Sequence, residues 1–195
     1  MTVKKSSTTR NAPKFSTKTA SPEKLRTDCM VVAVFDDGSL GKASQVLDKA
    51  CGGALSRAAK SGDISGSAGS ILLLRDLAGV AAARVLMLGL GKKGELSERG
   101  LRDSVAAAIN ALKSTGARDA VLAFMDVRVG KRNAAWLAQQ VVTAANDVLY
   151  RFDAMKGKDN KGTPARLEQI VLLDGDATGL KQGSAIAHGM DFARD

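Results

Sequence analysis

Five short stretches of this sequence consist almost wholly of Val, Ile, Leu, Met, Ala and Phe: residues 29–35 (CMVVAVF), 71–74 (ILLL), 85–88 (VLML), 120–125 (AVLAFM) and 170–173 (IVLL). A strand with one wet face alternates apolar and polar residues, because successive side chains point to opposite sides. Runs with no alternation belong to strands covered on both faces, the usual state of parallel sheets flanked by helices. The longest run has seven residues, well below the roughly 20 that a membrane helix needs, so no membrane partner is expected. Residues 15–18 make a weaker candidate, suited to an edge strand.

Between the runs lie patterns of helical period. Ser97 reads as an N-cap, Leu101, Val105, Ala108, Ile109 and Leu112 form one stripe, and Gly116 reads as the stop. A second and longer helix starts near Asn133 and places Leu137, Val141, Ala144, Val148 and Phe152 on one face, with Trp136 and Leu149 beside them. Shorter helices are expected over 39–50 and 53–60, separated by Gly52 and Gly53. Strands alternating with helices in this order predict a layered α/β domain with a mixed, mostly parallel sheet of about six strands between helices. At 195 residues one domain is the default. Its expected limits are 14–178, behind a flexible basic tail over 1–13 and ahead of a linking helix over 179–195. That last helix carries Leu180, Ile186, Ala187, Met190 and Phe192 and reaches Asp195 with no Gly or Pro stop. Its ending reads as a boundary with a further domain.

The formal net charge is +9, and it is unevenly spread. Residues 1–28 hold seven basic and two acidic side chains, residues 131–166 seven and three, and residues 167–195 two and five. Concentrated positive charge attracts polyanions. The candidate contacts for duplex DNA are Lys131 and Arg132 at the mouth of the long helix, with Lys156, Lys158, Lys161 and Arg166 around the polar segment 157–166. Aromatic residues make up only 4% of the chain, which disfavours stacking on single strands. A solvated surface and tail account for the same charge without a partner. The absence of an apolar stretch behind the basic start argues against a secretory signal and for the cytoplasm, where Cys29 and Cys51 stay as free thiols.

Other motifs carry less. Gly89-Leu90-Gly91-Lys92-Lys93-Gly94 fits G-x-G-x-x-G after a strand, yet Glu95, Leu96 and Ser97 separate it from its helix. Asp126 then comes too late to serve as the ribose-binding acid. His188 is the only histidine and has no partner at metal-ligand spacing. Cys51 precedes two glycines and a helix start, a setting that can activate a thiol, although a small packed residue explains it equally well.

Taken in order, KFSTKTASPEKLRTDCMVVAVFDDGSL (14–40), LDKACGGALSRAAKSGDISGSAGSILLL (47–74), RVLMLGLGKKGELSERGLRDSVAAAINALKSTGARDAV (84–121), WLAQQVVTAANDVLYRFDAMK (136–156) and AIAHGMDFARD (185–195) resemble the amino-terminal domain of bacterial leucyl aminopeptidases, of the cytosol aminopeptidase family. The resemblance implies a macro-domain-like fold that packs against the chain's own catalytic domain and helps to build a homohexamer. It implies a parent that removes N-terminal residues from peptides with two divalent metals, manganese or zinc, held in the carboxyl-terminal domain. The Asn-Thr-Asp-Ala-Glu-Gly-Arg signature of that domain is absent here. No catalytic residue, metal ligand or cofactor is therefore expected in this chain. Some bacterial members bind DNA, so the basic candidates above acquire a second motive. A free-standing nucleotide-binding module of macro-domain type is the remaining alternative.

Overall fold

The computed structural model describes residues 13–155 and 167–194. In chain order the elements are β1 (Lys14–Lys18), β2 (Cys29–Val34), α1 (Lys42–Ala50), α2 (Ala54–Ser61), β3 (Ile71–Arg75), β4 (Arg84–Gly89), α3 (Glu98–Thr115), β5 (Asp119–Leu122), α4 (Ala134–Met155), β6 (Gln169–Leu173) and α5 (Ala177–Arg194). The strands form one sheet in the order β1-β6-β5-β2-β4-β3. Only β3 runs antiparallel to its neighbour, so the sheet is mixed and mostly parallel as the apolar runs predict.

Strand β2 shows why its run is unbroken. Cys29, Val31 and Ala33 enter one core with Leu101, Ile109 and Leu112 of α3 and Val141 of α4. Met30, Val32 and Val34 enter a second core with Leu47 of α1 and Leu55 of α2. All six β2 residues are buried, so both phases of the two-residue repeat have to be apolar.

Several edges differ from the sequence expectation. The first helix starts at Lys42 rather than Ser39, because residues 35–40 turn back on themselves: Ser39 N donates to Asp37 Oδ1 at 2.8 Å and Phe35 N to Ser39 O at 2.9 Å. Hydrogen bonding from the Ser39 side chain, and then from its amide, holds the Asp37 carboxyl below its ordinary pKa, with Lys93 adding a smaller pull. The run 120–125 leaves the sheet after Leu122, although Ala123 N still donates to Val31 O at 2.8 Å. Helix α3 has the predicted cap, Gly100 N donating to Ser97 Oγ at 3.0 Å, a contact worth about 1 kcal/mol.

The last helix is corrected in two respects. It begins at Ala177, two residues early, because Asp176 caps it: Gly179 N donates to Asp176 Oδ1 at 2.8 Å. Of its apolar members Ala187 is buried and Leu180 packs against the core, but glycines take up much of the buried side. Gly179, Gly183 and Ala187 are buried at four-residue spacing, whereas Ile186 is 41% exposed. A side chain at Gly179 would overlap the Ala135 carbonyl, and one at Gly183 would press on Gln139 and Val142. Helix α5 therefore sits on α4 almost backbone to backbone.

At the amino ends of the parallel strands several polar groups bond to one another, although the buried Arg84 Nε has no hydrogen-bond partner among the described residues. Thr27 Oγ1 and Asp28 N donate to the Asp119 carboxylate, and Arg118 N donates to Asp28 Oδ2 at 2.8 Å. Arg84 Nη1 donates to Asp28 O at 3.2 Å.

Candidate functional site

The connections leaving the carboxyl ends of the strands go to opposite faces. After β2 the chain enters α1 on one face; after β4 and β5 it enters α3 and α4 on the other. Divergence of neighbouring loops opens a crevice beyond the strand ends, the general ligand position in open α/β sheets. A cleft of about 540 Å³ lies there. Phe35, Leu40, Leu96 and Val127 give it apolar walls. Lys42, Lys93, Asp126 and Arg128 bring charge. A smaller extension of about 270 Å³ shares Lys42 and Asp126 and reaches Asp174 at the end of β6.

The glycine motif contributes to this cleft without forming a dinucleotide loop. Leu90 N donates to Val34 O at 3.0 Å and Gly91 N to Gly66 O at 2.9 Å, so these amides are already bonded to the protein. Gly89 is required because a Cβ would overlap the carbonyl of Ser67. Lys92 pairs with Glu95 at 3.8 Å, while Lys93 turns toward the cleft, its Nζ 5.7 Å from the centre of the Phe35 ring.

Two of the six DNA candidates, Lys131 and Arg132, lie among the described residues. Lys131 and Arg132 are exposed just ahead of α4, where Trp136 N donates to Asn133 Oδ1 at 2.8 Å. Arg132 is engaged by its own protein, with Nη2 2.7 Å and Nε 2.8 Å from Glu98 Oε1 and its guanidinium 5.2 Å from the Trp136 ring centre. Lys156, Lys158, Lys161 and Arg166 lie outside the described residues. His188 is exposed on α5. Cys51 is half-buried with its Sγ 3.6 Å from Asp48 O. Burial pushes the Cys29 thiol up to about 12, against a smaller opposing pull from Arg84. At neutral pH Cys29 is a neutral core residue.

Among the described residues no three His, Cys, Asp or Glu side chains come together as a metal site. No helix among the described residues is long and apolar enough to cross a membrane.

Sequence reading singled out neither Lys42 nor Arg128. A signal was present in each case: Lys42 opens a helix whose first turn has no acidic residue, and Arg128 stands two residues after Asp126, which ends a buried run. Lysine at the positive end of a helix is electrostatically misplaced unless something negative is nearby.

A mixed sheet with helices on both faces and a crevice beyond its carboxyl ends defines an α/β domain of macro-domain type. Among solved structures it superposes on the macro domain of ganglioside induced differentiation associated protein 2 with a TM-score of 0.65 at 11% identity, covering 91% of this chain and 85% of that one. A mutant of tomato leucine aminopeptidase matches with a TM-score of 0.69 at 21% identity, over 94% of this chain and 38% of the other. Residues 31–159 match the family model described as the cytosol aminopeptidase family, N-terminal domain. A probable cytosol aminopeptidase of Methylobacillus flagellatus is 44% identical over 187 residues, 93% of this chain and 38% of that protein. The chain belongs to the cytosol aminopeptidase family and corresponds to its amino-terminal domain. It spans 38% of the length of that relative, and 38% likewise of the probable cytosol aminopeptidase of Aromatoleum aromaticum, to which it is 41% identical.

Proposed function

We propose that this chain is the non-catalytic amino-terminal domain of a metal-dependent leucyl aminopeptidase, and that it positions its own catalytic domain within a cytoplasmic homohexamer. The parent removes N-terminal residues from peptides, using two divalent ions, manganese or zinc, bound by the remainder of the protein. The observation that carries this reading is the 93% coverage of the chain by relatives of which it makes up 38%. The lack of a clustered ligand set among the described residues is compatible with it. Purified chain should hydrolyse leucine p-nitroanilide no faster than buffer, with or without manganese or zinc. Turnover that co-purifies with the chain through several columns would overturn the reading. Sedimentation of the parent with and without this domain tests the assembly role, which predicts loss of the hexamer on deletion.

Duplex DNA is a second candidate partner, favoured by the net charge of +9 and by exposed Lys131 at the start of α4. Engagement of Arg132 by Glu98 reduces what that residue can offer. The parent should retard duplex DNA at low salt, with retardation fading as salt rises. Mobility that is unchanged at low salt rejects this partner.

A further inference from the structure

The six-stranded sheet has two edges, and they are finished differently. At one edge β1 (KFSTK) has Lys14 and Lys18 exposed at its ends, with Ser16 and Thr17 between them. Lysines on an edge strand are an ordinary guard against pairing with another chain. At the other edge β3 (ILLLR) has no lysine, no proline and no break in its register against β4, and Ile71, Leu72, Leu73 and Leu74 are all half-buried. That register fixes which backbone groups face outward. Gly89 N donates to Ser70 O at 2.8 Å and Asp76 N to Ala83 O at 3.4 Å, so in this antiparallel pair Leu72 and Leu74 bond to β4 as well. The amides and carbonyls of Ile71, Leu73 and Arg75 then point away from the sheet. No turn, loop or side chain among the described residues bonds to them.

We propose that two copies of this chain pair through β3, antiparallel about a two-fold axis at Leu73, so that their sheets become one. Each Leu73 then exchanges both of its outward hydrogen bonds with the same residue of the second copy, and Ile71 does so with Arg75. Leu72 lies opposite Leu74 on both sides of the axis, an aliphatic cross-strand pair. Like charges do not meet, because Arg75 and Asp76 of one copy fall opposite Ile71 and Ser70 of the other, within a segment, 64–71 (ISGSAGSI), that holds no charged residue. Pairing of β3 with the β1 edge of another copy would be heterologous: it would meet the lysines of β1 and run on into a fibre. The β3 pair closes on itself. With five residues a side in the ladder, the dimer is a weak one, with a dissociation constant on the order of 10–100 μM. The proposal is independent of the hexamer proposed for the parent, since a hexamer held by the catalytic domain alone leaves it standing.

The test is sedimentation of the 195-residue chain over a range of concentrations, with amide hydrogen exchange read at both ends of that range. The mass should rise from one chain to two. The amides of Ile71, Leu73 and Arg75 should exchange freely in the dilute sample and about ten-fold or more slowly in the concentrated one. Leu72 and Leu74, bonded to β4, should stay protected in both, and Phe15 and Thr17, which face outward at β1, should stay fast in both. Leu73→Pro removes one outward amide and leaves the ladder to β4 in place, so it should hold the chain at one copy with Leu74 still protected. If the proline prevents folding, the exchange pattern of the native chain decides alone. The proposal falls if the mass stays at one chain up to about 1 mM, or if a dimer forms while the outward β3 amides still exchange freely. It falls equally if those amides are protected in the dilute sample, if growth continues past two copies, or if the dimer survives Leu73→Pro.

Discussion

The two ends of the parallel strands treat their charges in opposite ways. At the amino ends Asp28, Asp119, Thr27 and Arg84 are bonded to one another and to the backbone. At the carboxyl ends Lys42, Asp126 and Arg128 border a cleft and take part in no ion pair of the described residues. Both ends belong to the same strands, so the contrast cannot come from the sheet itself. It comes from the loops: those at the amino ends are tied down by carboxylates, and those at the carboxyl ends diverge to opposite faces. Polar groups that complete a fold thus sit apart from polar groups left available to a ligand.

That contrast can be broken by mutation. Asp119→Ala should cost about 2–3 kcal/mol, because the Thr27 hydroxyl and Asp28 amide lose their acceptor in a half-buried position. Urea denaturation reads this directly, and a loss below the error of the method would mean that the amino ends are not held by their carboxylates. The next effect lies beside it. Cys29 has its pKa raised in the folded state from the ordinary 9.0 to about 12, so folding retains a proton that the unfolded chain releases. Its contribution is therefore whole below pH 9.0 and lost as the pH climbs toward about 12, at a limiting slope of about 1.4 kcal/mol per pH unit. Unfolding midpoints taken across that window should fall more steeply for the native chain than for Cys29→Ala.

Smaller effects sharpen the comparison. Arg132→Ala should cost less than about 1 kcal/mol, since its pair with Glu98 is half exposed, with the stacking on Trp136 adding to the loss. Lys42→Gln and Arg128→Gln should change stability by no more than about 0.5 kcal/mol. Should either destabilise the fold as much as Asp119→Ala, the supposed division between the two ends would disappear.

Strand positions were legible in the sequence because burial on both faces leaves a signature without alternation, as in β2. The α3 cap and stop were legible because Ser97 and Gly116 each act within one turn of their own end of the helix. Where a tertiary contact chose the outcome, local pattern misled. The helix expected from Ser39 starts only at Lys42, because a turn around Asp37 takes up the residues before it, and Ile186, an apolar member of the last helix, is 41% exposed. The cleft was the least visible feature. Lys42, Lys93 and Arg128 are separated by 51 and 35 positions and meet only because β4 and β5 flank β2.

The seating of α5 on α4 has a mechanical consequence. Long side chains at a helix contact can change rotamer and absorb a small shift, whereas Gly179 and Gly183 leave main chain resting on main chain. A pull on the far end of α5 would find little slack to take up, and would arrive at α4 and β1 as rigid movement. The axis of this helix is accordingly a fixed pointer, whose heading is set by atoms that surface substitutions do not alter.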